Sequence, residues 1–209
     1  MRIKTYIFVV LALALFAAPI SVQAKDDSAQ NREYQVKAAF LYNFIKFVDW
    51  PKEKMADINE PIIIGIMGKD PFGDAFEPIK DKQVKGRKLV INRLKGLEEL
   101  KKSSEKDKSK LQREIEALRK CHLLFICSSE KENFEEIIET LEGSSVLTVE
   151  ETAGFLESGG IINFIMEEKK VRFEINVTAT KRAKLKIRSQ LLRLAKRVVE
   201  EKPSDEAKS

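Results

Sequence analysis

The feature that most constrains this chain is a set of short, mostly apolar runs separated by polar helical stretches. Ile62–Met67 is apolar and mostly β-branched, broken only by Gly65; residues 122–127 and 146–149 repeat the pattern, and residues 88–92 form a further short strand. A strand with apolar side chains on both faces must be covered on both faces, as in a parallel sheet. Helical stretches over residues 133–141 and before Cys121 lie between these runs, and Asp70-Pro71 after Gly68 reads as an N-cap followed by proline at the first helical position. The alternation predicts an α/β fold: a three-layer sandwich whose mixed, mostly parallel sheet is flanked by helices. Residues 161–166 and 171–175 flank Glu167-Glu168-Lys169-Lys170, which predicts a C-terminal antiparallel hairpin with a four-residue loop.

Either side of this pattern lie helices. Residues 34–50 are dense in Ala, Phe, Leu and Ile with no Gly or Pro until Pro51, so a long helix is expected. Ala38, Leu41, Ile45 and Val48 form one stripe on it and Phe40, Phe44 and Phe47 a second, an arc wide enough to be buried on more than one side. Residues 25–32 are polar and read as a flexible N-terminus. Residues 101–120 carry eight basic and four acidic side chains and no aromatic, with Leu111, Ile115 and Leu118 as the only apolar repeat; they read as a charged, exposed helical arm leading into the third strand. Ser189 is expected to cap a last helix whose Leu191, Leu192, Ala195, Val198 and Val199 face inward and which Pro203 ends. A single domain over residues 33–200, followed by a polar tail at 201–209, accounts for the whole pattern.

Residues 1–24 stand outside it. Arg2 and Lys4 open a basic start, an apolar run from Tyr6 to Ile20 follows, and Val22-Gln23-Ala24 supplies small residues for cleavage, the order of a secretory signal peptide. The apolar run has 15 residues, short of the roughly 20 a spanning helix needs, and no later stretch offers an anchor. The expectation is a soluble exported protein with no membrane insertion after cleavage. Without Arg2 and Lys4 the net charge of +5 falls to +3, and the basic balance loses most of its meaning. Nucleic acid is disfavoured as a partner on these grounds and because the C-terminal basic residues have no interleaved aromatics.

The two cysteines, Cys121 and Cys127, end one predicted strand. Six strand residues at ~3.3 Å each separate them by about 20 Å, far beyond the roughly 7 Å a disulfide tolerates. They are expected to be free and buried. The single histidine, His122, would have to serve any imidazole-based site, and Cys121 lies on the opposite face of the strand from it, so a Cys/His dyad is excluded. No Cys or His pair has zinc-ligand spacing. Gly65, Gly68 and Gly73 do not match a Gly-x-Gly-x-x-Gly turn, and Asp70 would repel a phosphate there. Glu150-Glu151 and Glu167-Glu168 read as solvated loop acids. The sequence therefore predicts no catalytic residue, no cofactor and no metal.

Three segments then look familiar together: Val36-Lys37-Ala38-Ala39-Phe40-Leu41-Tyr42-Asn43-Phe44 through Trp50-Pro51, Cys121-His122-Leu123-Leu124-Phe125-Ile126, and Gly159-Gly160-Ile161-Ile162-Asn163-Phe164 with Val171-Arg172-Phe173-Glu174-Ile175-Asn176. With Leu185-Lys186-Ile187, Ser189, Leu191-Leu192 and Leu194-Ala195 they resemble the YfiR-like family of periplasmic proteins over about residues 34–199. The resemblance implies a non-enzymatic periplasmic regulator that binds and represses the periplasmic domain of an inner-membrane sensor or diguanylate cyclase, so that cyclic di-GMP falls. Two departures stand out: the 101–120 arm is longer than the family's usual segment, and the extra cysteines that can form disulfides in some relatives are missing, which puts redox control of that kind in doubt. Asn43, Trp50, Asn163, Arg172 and Asn176 are the polar or amphipathic members of the pattern. The partner surface is expected to draw on the helix exit at Phe47 and Trp50, the Gly159-Gly160 turn, Asn163 and Arg172.

Two other readings stay open, as does a homodimer. A periplasmic small-ligand-binding protein is the alternative, because open α/β sheets bind ligands beyond the C-terminal ends of their strands, here near Gly68, Ser128-Ser129 and Glu150. A hydrolase comes third, for want of a nucleophile with its base.

Overall fold

The computed structural model describes residues 23–105 and 107–200. The leader read at residues 1–24 lies outside them except for its last two residues, and the tail at 201–209 lies wholly outside. A 25-residue helix, α1 (Gln23–Phe47), leads into the short strand β1 (Val48–Asp49). Then follow β2 (Ile62–Met67), β3 (Gln83–Val84), β4 (Arg87–Leu94), α2 (Leu97–Ser103), α3 (Lys108–Lys120), β5 (Leu123–Ile126), α4 (Phe134–Thr140) and β6 (Leu147–Glu150). The chain closes with β7 (Ile162–Glu167), β8 (Lys170–Asn176), α5 (Val177–Arg182), β9 (Lys186–Ile187), α6 (Ser189–Leu194) and β10 (Arg197–Val199).

Eight strands form one sheet in the order β10-β8-β7-β6-β5-β2-β4-β3. From β4 across to β7 all pairings are parallel, whereas β8 is antiparallel to β7 and β3 to β4. The expected mixed, mostly parallel sheet is present. Alternation along β5 shows why its strands are apolar throughout: Leu123 and Phe125 enter one core with Leu41, Phe44 and Ile45 of α1, while Leu124 and Ile126 enter a second with Leu100, Leu118 and Phe134 from α2, α3 and α4. Helices therefore cover both faces, which makes three layers. Gly65 lies on the second face, where a Cβ would come within 2.7 Å of Cys121 Sγ and of Leu124 Cδ1. β1 and β9 form a separate two-stranded antiparallel sheet.

Several local expectations are corrected. The helix expected after Asp70-Pro71 is instead a chain of turns: Asp70 Oδ1 accepts from the Phe72 amide at 2.7 Å, but Gly73 at φ 48° breaks the right-handed path. The hairpin loop has two residues rather than four, with Glu168 and Lys169 both left-handed at φ 48° and 61° and Glu167 already paired with Lys170. That turn matches the twist of the flanking strands. The last helix stops at Leu194, with no side-chain cap from Ser189, and Arg197–Val199 becomes an edge strand parallel to β8. Val198, expected to face inward, is exposed. Pairing with β8, begun by the Lys196 amide on the Phe173 carbonyl at 2.8 Å, satisfies backbone groups that a bare edge would leave open.

The 101–120 arm is two helices, separated where Asp107 caps α3 by accepting from the Ser109 and Lys110 amides. Within it Ser104 and Leu118 are buried and Leu111 packs partly against the second core, so the arm lies against the sheet along that side and keeps its charged side chains outward. Upstream, residues 25–32 continue α1 rather than lying loose, a stretch with no Gly or Pro to stop it.

Candidate partner-binding surface

The parallel strands order themselves so that β2, first in the chain, has β4 on one side and β5 on the other. In such sheets a ligand crevice opens at this switch point, beyond the strands' C-terminal ends. Here it is filled by the chain's own side chains. A Cβ at Gly68, which sits at φ 96°, would come within 2.6 Å of Ser129 Oγ and 2.9 Å of Glu130 Oε1. The Ser129 hydroxyl accepts from the Lys69 amide at 3.0 Å, and buried Glu130 accepts from the Leu97 amide at 2.9 Å, so its carboxylate takes the first turn of α2.

Beside this crevice, Lys37 on α1 is 3% exposed and pairs with Glu33 one turn back and with Glu151 after β6. Tyr34 donates to Glu151 Oε1 at 2.9 Å; burial, then the Glu151 charge and this bond, push its hydroxyl well above its usual range. Glu150 is fully buried, accepts from the Thr152 amide and hydroxyl, and is pushed up by burial. Of the adjacent acids read as solvated, Glu150 is thus buried at the end of β6 against the loop that follows, and Glu151 clasps α1 to the sheet. Lys37 gave one sequence signal, a lysine on the edge of an apolar stripe with Glu33 four residues earlier; Glu150 gave another, continuing a buried strand with a hydroxyl two residues on.

At the opposite ends of the strands, His122 Nδ1 accepts from the Ile63 amide at 3.2 Å, and the ring meets Trp50 edge-on at 5.9 Å between centroids. Burial, with Lys54 and Arg87 nearby, lowers the His122 pKa to about 4. Its role in the structure is to fasten β2 to β5. Trp50 is 8% exposed, with Lys85 Nζ 5.2 Å above its ring, and Phe47 is half-buried on the same core. Arg188 closes this corner with two bonds to the Asp49 carboxylate at 2.8 and 3.1 Å. The helix exit is therefore largely internal, with Phe47 as its more open aromatic.

The other expected residues gather around the 151–160 loop. Gly159, at φ 89°, lines a groove of about 560 Å³ between α4 and α5. Gly160 packs face-on to Phe155, leaving no room for a side chain. Asn163 is buried on the far side of the loop, its Oδ1 without a partner, lining a recess of about 350 Å³. Arg172 is exposed on β8, directly opposite Ile165 of that recess. Gly159 and Gly160 are held at the start of β7 by Asn176, which donates through Nδ2 to the Leu156 carbonyl at 3.1 Å and accepts from the Ala179 amide at 2.9 Å, whereas Asn163 and Arg172, opposite Glu174 and Ile165, lie further along the β7–β8 pair. Among the described residues no hydrogen bond, ion pair or ring contact joins them to Phe47 or Trp50. The groove's glutamates, Glu135, Glu139 and Glu142, escaped the sequence reading; their spacing of four and three is its only trace.

Among the described residues no helix is long and apolar enough to cross a membrane, and no group of His, Cys, Asp or Glu is placed to hold a metal ion.

Comparison with known proteins gives one family. Residues 34–196 match the family model described as YfiR/HmsC-like. No curated protein matches the chain. Among solved structures, the ABC domain in complex with L-Trp from Streptococcus pneumonia is similar at 11% identity and a TM-score of 0.47, covering 66% of this chain and 55% of that one. A conserved domain protein from Vibrio cholerae O1 biovar eltor str. N16961 is similar at 13% identity and a TM-score of 0.48, covering 79% of this chain and 60% of that one. The chain thus spans less than two thirds of either structure.

Proposed function

Because the chain belongs to the YfiR/HmsC-like family, we propose that it is an exported, non-enzymatic regulator that binds the periplasmic part of an inner-membrane signalling protein, a diguanylate cyclase, and lowers cyclic di-GMP. The observation that carries this reading is the family match across nearly the whole described domain. Its physical content is specific. A protein that acts across a membrane without chemistry of its own can shift its target only by binding one conformation better than the other. A shift from mostly active to mostly inactive needs a differential affinity of about four decades for a 99:1 swing, and proportionately less for partial repression. That calls for a rigid docking face, and the packing of Gly160 against Phe155 with the Asn176 bonds, which fix the 151–160 loop, supports placing it there.

The small-ligand reading loses its best location, since Ser129 and Glu130 occupy the switch-point crevice. The test is recovery from membranes with the cleaved protein as bait. The expected catch is an inner-membrane protein with a cytoplasmic diguanylate cyclase domain, retained in detergent and released by excess free bait. Recovery of no such protein, with the bait folded and monodisperse, overturns the reading.

A further inference from the structure

The groove between α4 and α5 combines an apolar floor with an acidic rim. Ile138, Leu141, Val146, Ile161 and Ala179 line the floor, and Glu135, Glu139, Glu142 and Glu157 stand at the edge with Arg182 as the basic residue among them. Glu135, Glu139 and Glu142 form a stripe along one wall, and among the described residues no ion pair involves any of the three. Glu135 stands in the first turn of α4, where the helix dipole favours an acid, but Glu139 stands one turn on, in the last turn, where the dipole disfavours acids and α4 has no basic residue, and Glu142 follows in the turn beyond Thr140, so the later two carry charge that the helix does not offset. A fold that holds unpaired charge around an open apolar floor gains when a basic, apolar surface covers it.

The lining also separates a macromolecular occupant from a small one. A small-molecule site fixes its ligand through a few buried, convergent polar groups. In this groove the buried polar side chain is Thr148, and its hydroxyl already accepts from the Ile161 amide at 3.1 Å. The remaining carboxylates are exposed on flexible stems, which suits steering and rim contacts with a protein. The groove runs between two helices, and its acids stand on α4 and in the turn just beyond it, within reach of the basic side chains of a docked amphipathic helix. Gly159 keeps the rim low: a Cβ there would reach 3.4 Å from both Ile138 and Arg182.

We propose that this groove docks an amphipathic helix of the partner's periplasmic region, its apolar ridge on Ile138, Leu141 and Ile161 and its Lys or Arg side chains on Glu135, Glu139 and Glu142. The proposal rests on the regulator reading for the identity of the partner, but the chemistry of the groove is tested without it. The probes are two labelled helical peptides sharing one leucine face, one with lysines and one with glutamates on the polar face. The lysine peptide should bind the full chain at least tenfold more tightly than the glutamate peptide, and more weakly as salt rises from about 0.05 to 0.5 M. The triple change Glu135→Lys, Glu139→Lys, Glu142→Lys should reduce that affinity at least tenfold. Glu53→Lys, Glu60→Lys, Glu116→Lys, an equal change of net charge elsewhere, should leave it within about twofold, with melting temperatures confirming that both triples fold. Equal binding of the two peptides, or equal loss in both triples, overturns the proposal. So does self-association of the free chain that the first triple abolishes, because the groove would then serve a second copy. In cells, a groove triple that represses cyclic di-GMP as well as the unmodified protein sinks the groove alone; an unmodified protein that does not repress sinks the regulator reading, while the peptide result still decides the groove.

Discussion

Glu130, from the turn after β5, reaches across the sheet edge and accepts a hydrogen bond from the backbone amide of Leu97 at 2.9 Å. Three consequences meet in that bond. It satisfies an otherwise orphaned donor in the first turn of α2, places negative charge at the favourable end of the helix, and occupies the crevice where sheets of this order bind ligands.

Glu130→Ala should therefore destabilise the protein by about 1–3 kcal/mol, the range for leaving a buried donor unsatisfied. Denaturant unfolding measures it, with Glu98→Ala on the exposed side of α2 expected within about 0.5 kcal/mol of the parent. A Glu130→Ala protein as stable as the parent would show that water replaces the carboxylate at no cost.

His122 sets an acid limit on stability. Buried and neutral, it has its pKa lowered to about 4, against an ordinary value of 6.5. Above pH 6.5 neither the folded nor the unfolded chain holds the proton, so stability from this group is fully present. As pH falls from 6.5 towards 4 the unfolded chain takes up a proton the folded one refuses, and stability declines by on the order of 3 kcal/mol before levelling off. His122→Asn should remove this one-proton component from the curve of stability against pH. An unchanged slope would place the His122 ring in water.

The thiols of Cys121 and Cys127 should be unreactive in the native protein. Both are buried and free, and they sit on opposite faces of the sheet, one in each core. Burial raises Cys121 to about 11 and pushes Cys127 higher still, with Asp70 and Glu151 adding to the latter. Since the thiolate is the reactive form, labelling at pH 8 should be at least a hundredfold slower than for a free thiol, and should reach two sites in denaturant without reductant. A bridged pair would contradict the strand between them.

Gly160→Ala should cost about 1–3 kcal/mol and loosen the 151–160 end, because the added methyl has no space against Phe155. Loss of partner capture beyond what the lowered stability explains would tie this turn to binding. A neutral substitution would mean that the loop yields at no cost and is not the rigid docking face described.

How much of this was legible depended on whether a local pattern had one physical solution. Ile62–Met67 and the apolar centre of residues 122–127 could only be buried strands, because their side chains on both faces are apolar; the first stands where the sequence put it, and the second as Leu123–Ile126, one residue shorter at each end. Phe72, Ala75, Phe76 and Ile79 have helical spacing too, but a series of turns buries the same side chains, and Gly73 decides between them through a backbone angle that spacing does not encode. Val198 and Val199 continue the apolar repeat of α6, yet the open edge of β8 pulls them into a strand, a long-range contact invisible in a short window. The clasp of Lys37 with Glu151 joins residues 114 apart, so only its local half, Glu33 to Lys37, could be read. In the same way Gly159 could be singled out only by itself, while the acidic groove it lines exists only once α4 and α5 are brought together.

The most direct test of the central claim is the cellular level of cyclic di-GMP. Deleting the gene should raise it, an intact copy should restore it, and a copy lacking residues 1–24 should not, because the protein would never reach the compartment of its partner. Unchanged cyclic di-GMP after deletion across growth conditions, or full restoration by the copy without residues 1–24, would contradict the account.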